Sequence, residues 1–342
     1  MAGSYQRKER YEQEMRRKLE GDFSSLTVSE AYRRCLNILE KGVEEGMKRG
    51  SPNFETIRMN RMNLKELSPP VQIMDFGGGT GTPMSAICEK LHALNKDAIV
   101  SVEEPHKESL QKYKKCIEDL DNATLNVAYS GRFQDYFGKS VEELRSIGTY
   151  PEELQDRVLA IHSMYHLTRW LDDSCDPHGD IKRAVIAMYS ILKPGGMLVI
   201  ELDGGKNDFI WKTSLRCCEI LCPEKFANFR RVGEARRSLL FQGGIVNILN
   251  EAFPMVKGLI THDEIPKGFV LSSLAEVGAY VSIIFCDGWS GDSSKFDHRM
   301  LSFCMDFIQR EGSKYGLSQE EDGMWRSSNM THFITIKKAQ QM

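Results

Sequence analysis

The chain has 342 residues, 41% of them apolar and 27% charged, and a formal net charge of −3. That is the profile of a globular protein long enough for one large domain or a core with an elaboration. So small a charge gives no field to gather a polyanion, and nucleic acid and anionic lipid are not expected partners.

Nine cysteines stand at irregular spacings with no CxxC pair, which suits a reducing compartment and a cytoplasmic location. Cys217, Cys218 and Cys222 form the one cluster, read as small apolar residues of a helix. No metal is expected, because neither His nor Cys spacing supplies a ligand set. The Met1–Tyr5 stretch runs into Arg, Lys and Glu rather than an apolar segment, so it does not read as a secretory signal. No stretch reaches the ~18 apolar residues of a membrane span. A monomer is expected.

Tyr11, Met15 and Leu19, four apart in a charged background, predict a short helix over 5–20. A second helix is predicted over 27–47, capped by Thr27 or Ser29, with Ala31, Cys35, Leu36, Leu39 and Val43 at helical spacing. Gly50, Pro52, Pro69 and Pro70 mark 48–70 as a linker. From 71 onward apolar runs at 71–76, 98–103, 125–129, 157–162 and 196–202 alternate with helical patterns at 82–95, 106–118, 139–147 and 179–193. Such alternation predicts an α/β fold: a doubly wound, mainly parallel sheet with helices on both faces. Gly195–Gly196 reads as a helix stop feeding a buried strand. Beyond 205 the alternation ends. Residues 208–253 and 296–311 read as helical, 278–286 as an apolar run, and 257–264 and 332–337 as strands. The expected organisation is a helical segment contributing to a lid (1–70), a ligand-binding core (71–204), a cap inserted between late strands (205–315) and a terminal core strand (316–342).

Between the first strand and its helix lies Asp75-Phe-Gly77-Gly78-Gly79-Thr80-Gly81. Glycines at a strand-to-helix turn let backbone approach a ligand where a Cβ would clash, and the helix that follows starts with unpaired N–H groups. By itself such a loop serves a dinucleotide or a mononucleotide; its spacing departs from G-x-G-x-x-G. The second strand runs into Glu103-Glu104-Pro105, where a carboxylate can accept both ribose hydroxyls of an adenosine. Spacing does not choose between Glu103 and Glu104.

With His162 after the fourth strand and Lys-Pro-Gly-Gly before the fifth, residues 71–204 resemble the class I S-adenosylmethionine-dependent methyltransferases. The resemblance implies a Rossmann-like, seven-stranded sheet and S-adenosyl-L-methionine as cofactor. It places Asp75, Gly77, Gly78, Gly79, Gly81 and Ile161 around that cofactor, an acidic residue on its ribose, and further contacts near Ser109 and Gln134.

More of the chain resembles the histamine N-methyltransferase family. The matching pieces are Thr27-Val-Ser-Glu30, Val102-Glu-Glu-Pro105, Ala160-Ile-His162-Ser-Met-Tyr165, Asn207-Asp-Phe-Ile-Trp211 and Ser328-Asn329-Met-Thr-His-Phe333. In that family an amino-terminal Glu, a Gln after the fourth strand and an Asn before the last strand hold the substrate. Here they correspond to Glu30, His162 and Asn329, the Gln being replaced. The resemblance also favours Glu104, directly before the Pro, as the ribose ligand.

Chemistry supports those roles. Methyl transfer from a sulfonium needs an aligned nucleophile with a free lone pair and little water. Glu30 can hold a distant ammonium, Asn329 can orient a ring nitrogen, and His162 can orient the nucleophile or take its proton. Tyr165, Trp211 and Phe209 can wall an aromatic or cationic substrate, though core packing uses the same residues. The expected activity is N-methylation of a small amine, imidazole-containing by resemblance: histamine, an imidazole dipeptide or a histidine derivative. The alternatives are a methyltransferase on another small molecule or a protein, and a silent cofactor-binding scaffold. Ile161-His-Ser-Met stands where an enzyme acting on exocyclic base amines would carry an Asn-Pro-Pro-Tyr-like tetrapeptide.

Overall fold

The computed structural model describes residues 2–151, 153–168, 176–205, 208–241, 243–253, 259–286 and 294–339. Asn207 and Cys175 lie outside them. The expected doubly wound sheet is present. Strands β1 (Val71–Phe76), β2 (Ala98–Glu103), β3 (Ala123–Tyr129), β4 (Gln155–Ile161), β5 (Leu192–Asp203), β6 (Leu259–Leu271) and β8 (Trp325–Lys337) follow the order β3-β2-β1-β4-β5-β8-β6, and the two-residue β7 (Ser318–Gln319) pairs with β8. The first five are parallel, whereas β8 runs antiparallel to both β5 and β6.

The central strands are apolar runs because both faces are covered; all six residues of β1 are buried. One face carries Met74, Val158, Leu198, Ile200 and Ile334 against α8 (Pro177–Ser190) and α11 (Gly244–Ala252). The other carries Ile73, Val100 and Leu159 against α4 (Thr82–His92) and α5 (Lys107–Glu118). Short helices α6 (Phe133–Phe137) and α7 (Val141–Ser146) connect β3 to β4. Gly195–Gly196 lies inside the span of β5, where pairing with β4 is irregular, rather than ahead of the strand.

The cap is divided. Helices α9 (Phe209–Leu221), α10 (Pro223–Arg236) and α11 separate β5 from β6, while α12 (Leu274–Val281) and α13 (His298–Glu311) separate β6 from β8. The amino-terminal helices α1 (Ala2–Phe23) and α2 (Val28–Lys48) share one apolar cluster with α12 and α13, including Phe23, Cys35, Val277 and Leu301. Cys217 lies in the same cluster, and Cys218 and Cys222 lie in a smaller apolar cluster with Phe229 and Val232, as expected for small apolar residues. Among the described residues no helix is long and apolar enough to cross a membrane.

One expectation fails in the supposed linker. Residues 54–61 form a helix, α3 (Phe54–Arg61), whose first turn is capped by the Asn53 side chain accepting from the Thr56 N–H. Phe54 and Arg58, one turn apart, are buried, and Phe54 stacks on Phe333 of β8. Pro52 precedes the cap, and Pro69 and Pro70 lie well past Arg61, so no proline interrupts the helix.

Helix α2 lies on β6 through glycines. A Cβ at Gly42 would meet the Phe269 ring at 2.4 Å, and one at Gly46 would stand 2.2 Å from the Gly268 carbonyl oxygen. Backbone cannot yield as a side-chain end does. Gly46→Ala is therefore expected to cost about 1–3 kcal/mol, read as a lowered melting temperature. Gly21→Ala, on α1 with open space around it, should hold or raise stability.

Candidate active site

The site begins at the turn after β1. Gly77, Gly79 and Gly81 have φ of +69°, +58° and +87°, which only glycine adopts without strain. Gly78 is tucked under Tyr113 and Val102, where a Cβ would come within 2.6 Å of both. Gly79 faces the other way, with nothing within 4 Å of where its Cβ would be. The turn thus has a packed underside and an open upper side. Asp75 braces the underside by accepting the Tyr113 hydroxyl at 3.1 Å.

Both candidate carboxylates are tied to this turn. The Gly77 N–H lies 3.1 Å from Glu103 Oε2, and the Gly79 N–H donates to Glu104 Oε2 at 2.8 Å. Glu104 Oε1 accepts the His106 N–H at 2.9 Å. Glu103 Oε1 is buried without a hydrogen-bond partner among the described residues. Burial, then mutual repulsion, pushes Glu103 well above the ordinary carboxylate range; burial raises Glu104 despite its two backbone donors. Helix α2 supplies nearby positive charge. Arg33 pairs with Glu108 at 2.9 Å and reaches His106 Nδ1 at 2.7 Å, which also accepts the Ser109 N–H. Tyr32, next to it, meets the half-buried His166 ring edge-on.

At the end of β4, His162 takes φ +50°, a left-handed conformation costly for a residue with a side chain. Its N–H donates to the Glu201 carbonyl at 2.7 Å, and its Nε2 lies 3.1 Å from Glu201 Oε1. The other Glu201 oxygen accepts Arg58 Nε at 2.7 Å. Burial alone would raise Glu201, but His162 and Arg58 outweigh it and hold the carboxyl below its ordinary range. A carboxylate accepts only, so Nε2 carries the imidazole proton and Nδ1 keeps its lone pair. The Tyr165 hydroxyl lies 3.5 Å from that Nδ1, and the two rings stack. The His162 side chain is 35% exposed and Glu201 1%, so the dyad presents one accessible nitrogen backed by a buried anion.

A second, half-buried carboxylate follows two residues on. Asp203 accepts Lys267 Nζ at 2.7 Å and the Thr331 hydroxyl at 2.5 Å, and its N–H donates to the Tyr165 hydroxyl. Burial would raise it; Lys267 and His162 hold it low. Asn329 pairs in register with Lys267 and lies two residues from Thr331, on the same face of β8. Its Oδ1 is buried and has no partner among the described residues. Asp208 caps α9 and accepts the Met330 N–H at 3.0 Å, tying the β5–α9 turn to β8; burial raises its pKa to about 6.

The structure thus brings Asp75, the glycine turn, Glu103, Glu104 and Ser109 together on one side, and His162, Tyr165 and the Asn329 segment on the other. Ile161 is the buried last residue of β4. The other predicted residues stand elsewhere or are undescribed. Glu30 is exposed, and its carboxylate accepts the Thr27 N–H and hydroxyl at 2.8 Å, closing the capping box of α2. Trp211 stacks on Phe229, lies under Arg237 and packs against Gly233, all within the cap. Gln134 belongs to α6, and its side chain lies outside the described residues. Sequence reasoning missed Arg58, Glu201, Asp203, Lys267, Tyr32 and Arg33. The one available signal was Glu201 and Asp203 alternating with Ile200 and Leu202 in a strand otherwise apolar on both faces.

Asp75 offers a test of the underside. Burial raises its pKa from 3.8 to about 7, against the opposing Tyr113 hydrogen bond. A carboxyl raised in the folded state favours folding most below its unfolded value, and that contribution is lost as pH rises toward 7. In Asp75→Asn the amide oxygen would still accept the Tyr113 hydroxyl, but the side chain cannot ionise. The melting temperature of Asp75→Asn minus that of wild type should grow from near zero at about pH 4 to several degrees at about pH 7.5. A difference independent of pH would contradict the assignment.

No family model matches the chain, and no curated protein matches it. Among solved structures it is similar to a Bacillus halodurans C-125 protein provisionally described as a methyltransferase, with 11% identity over 82% of this chain and 99% of that one and a TM-score of 0.48. It is also similar to the YcgJ protein of Bacillus subtilis (8% identity, 83% and 97% covered, TM-score 0.42) and to the N-methyltransferase NodS of Bradyrhizobium japonicum WM9 (13%, 84% and 97%, TM-score 0.37). These likenesses are weak, each with a TM-score below 0.5.

Proposed function

We propose that the chain is an S-adenosyl-L-methionine-dependent N-methyltransferase acting on a small amine, of the imidazole-containing class. The observation that carries this reading is an open glycine turn, bonded to buried carboxylates, beside a histidine held in one tautomer by a buried anion. The residues fit the cofactor. Gly79 leaves room for close approach, Glu103 Oε1 lacks a donor among the described residues, and Glu104 lies at the turn with two acceptor oxygens. Crowded carboxyls favour a ligand that brings positive charge and hydroxyl donors.

When bound, S-adenosyl-L-methionine supplies an electrophilic methyl group on a sulfonium. Glu104 would accept the ribose hydroxyls, and the backbone of Gly77–Gly81 would hold the methionine part. His162 Nδ1 takes the proton that the substrate gives up once the methyl is added, from the second ring nitrogen where an imidazole nitrogen attacks, and Glu201 stabilises the imidazolium that forms on His162. Arg58 keeps Glu201 ionised and in place, so Glu201 and Arg58 are positioning residues. Asn329 offers its amide to a substrate ring nitrogen, and Tyr165 gives an aromatic wall. Glu30 enters through the helix that carries Tyr32 and Arg33; engaging an ammonium requires its carboxylate to exchange a capping bond for the substrate.

Glu104→Gln should weaken S-adenosylmethionine binding about 10–100-fold by calorimetry, the worth of hydrogen bonds to a charged acceptor. His162→Ala should leave that binding unchanged and lower kcat by about 10²–10⁴ on an accepted amine. Mass spectrometry of the protein with cofactor and an amine panel, histamine and an imidazole dipeptide first, identifies the amine. Glu30→Gln should raise KM for the amine and spare cofactor affinity; a lowered melting temperature with KM unchanged would confine Glu30 to its helix cap. Absence of binding for both the cofactor and its demethylated product would overturn the reading.

A further inference from the structure

On the face of the sheet opposite Asp203 and Asn329, the ladder between β6 and β8 gathers three side chains of metal-ligand type. Register sets Glu264 directly across from His332, and His262 lies two residues along β6 on the same face. His262 Nε2 is 2.9 Å from His332 Nδ1, and His332 Nδ1 is 3.9 Å from Glu264 Oε1. One ligand atom of each residue lies within 4.8 Å of the others. His332 is buried while His262 and Glu264 are exposed, so the cluster is anchored at one end and open to water at the other. The Gly204 carbonyl beside His332 Nε2 can only accept, so Nε2 carries the proton and Nδ1 turns its lone pair toward the cluster. A backbone carbonyl fixing the far nitrogen is the arrangement that orients metal-ligating histidines.

We propose that His262, Glu264 and His332 form a binding site for a divalent transition metal, zinc by donor chemistry. Two imidazoles and a carboxylate suit that ion, and three protein ligands leave a fourth position for water. Donor atoms ~2.0–2.2 Å from a tetrahedral ion stand about 3.3 Å from one another. The two rings therefore part by a few tenths of an ångström, and the exposed Glu264 side chain closes in. His262 Nε2, which donates to His332 Nδ1 while the rings bond each other, presents its lone pair to the metal, the proton moving to its own Nδ1. The ion would clip the edge strand β6 to β8 and, through Gly204, to the turn that follows Asp203. This assignment replaces the expectation of no metal and is independent of the proposed methyl transfer.

The test is titration of the full-length, reduced protein with Co²⁺, followed by visible absorption, and with Zn²⁺, followed by calorimetry and thermal melting. One equivalent should bind with d–d bands and without the intense near-ultraviolet thiolate band that cysteine ligation gives. His262→Ala and Glu264→Gln, both at exposed positions and checked for an unchanged metal-free melting temperature, should each weaken binding at least about tenfold. Zn²⁺ should raise the wild-type melting temperature and leave that of His262→Ala unchanged. Failure of either ion to bind, affinity unaffected by both variants, or a thiolate band would overturn the site.

Discussion

Glu201 cannot stand inside the sheet as a lone anion, and the arrangement of the His162 side of the site follows from how it is matched. Arg58 from α3 takes one oxygen and His162 from the end of β4 faces the other. Removing one member of such a buried pair costs about 3–5 kcal/mol, because the remaining charge is stranded. The same contact joins three elements distant in sequence and fixes which imidazole nitrogen bears the proton. The left-handed backbone of His162 is held by that network and by the hydrogen bond from its N–H to the Glu201 carbonyl.

Three further carboxylates extend the pattern. Asp203 is matched by Lys267 and Thr331, whereas Glu103 and Glu104 are matched mainly by backbone N–H groups of the glycine turn and of the start of α5. One half of the site is thus neutralised by side-chain cations and the other by weaker dipoles, which leaves it the more receptive to a cationic ligand. Helix α2 spans both halves. Its glycine face rests on β6 at one end, and Arg33 reaches His106 and Glu108 at the start of α5 at the other.

The sheet and its glycine turn were legible because parallel core strands are continuous apolar runs and the turn needs glycine for backbone reasons alone. The first two strands begin and end where the apolar runs do. Helix α3 was hidden by flanking prolines, although Asn53 with Phe54 and Arg58 carried its cap and its buried face. Thr27 caps α2 as its position predicts, and Thr27-Val-Ser-Glu30 is the full pattern of a capping box, which gives Glu30 a local role as well. The partners of Glu201 and Asp203 come from α3, β6 and β8, so no local spacing announces them. The same holds for His262, Glu264 and His332, which meet only once two antiparallel strands are set in register.

That register has a wider consequence. The ladder between β6 and β8 runs thirteen residues without a break, with Lys267 and Asn329 on one side and His262, Glu264 and His332 on the other. Side chains alternate with a period of two, so a slip of one residue would turn each set toward the opposite layer. A single-residue insertion or deletion there would not merely loosen one centre; it would invert both together. The length of this ladder makes two distant chemistries inherit, and lose, a common alignment.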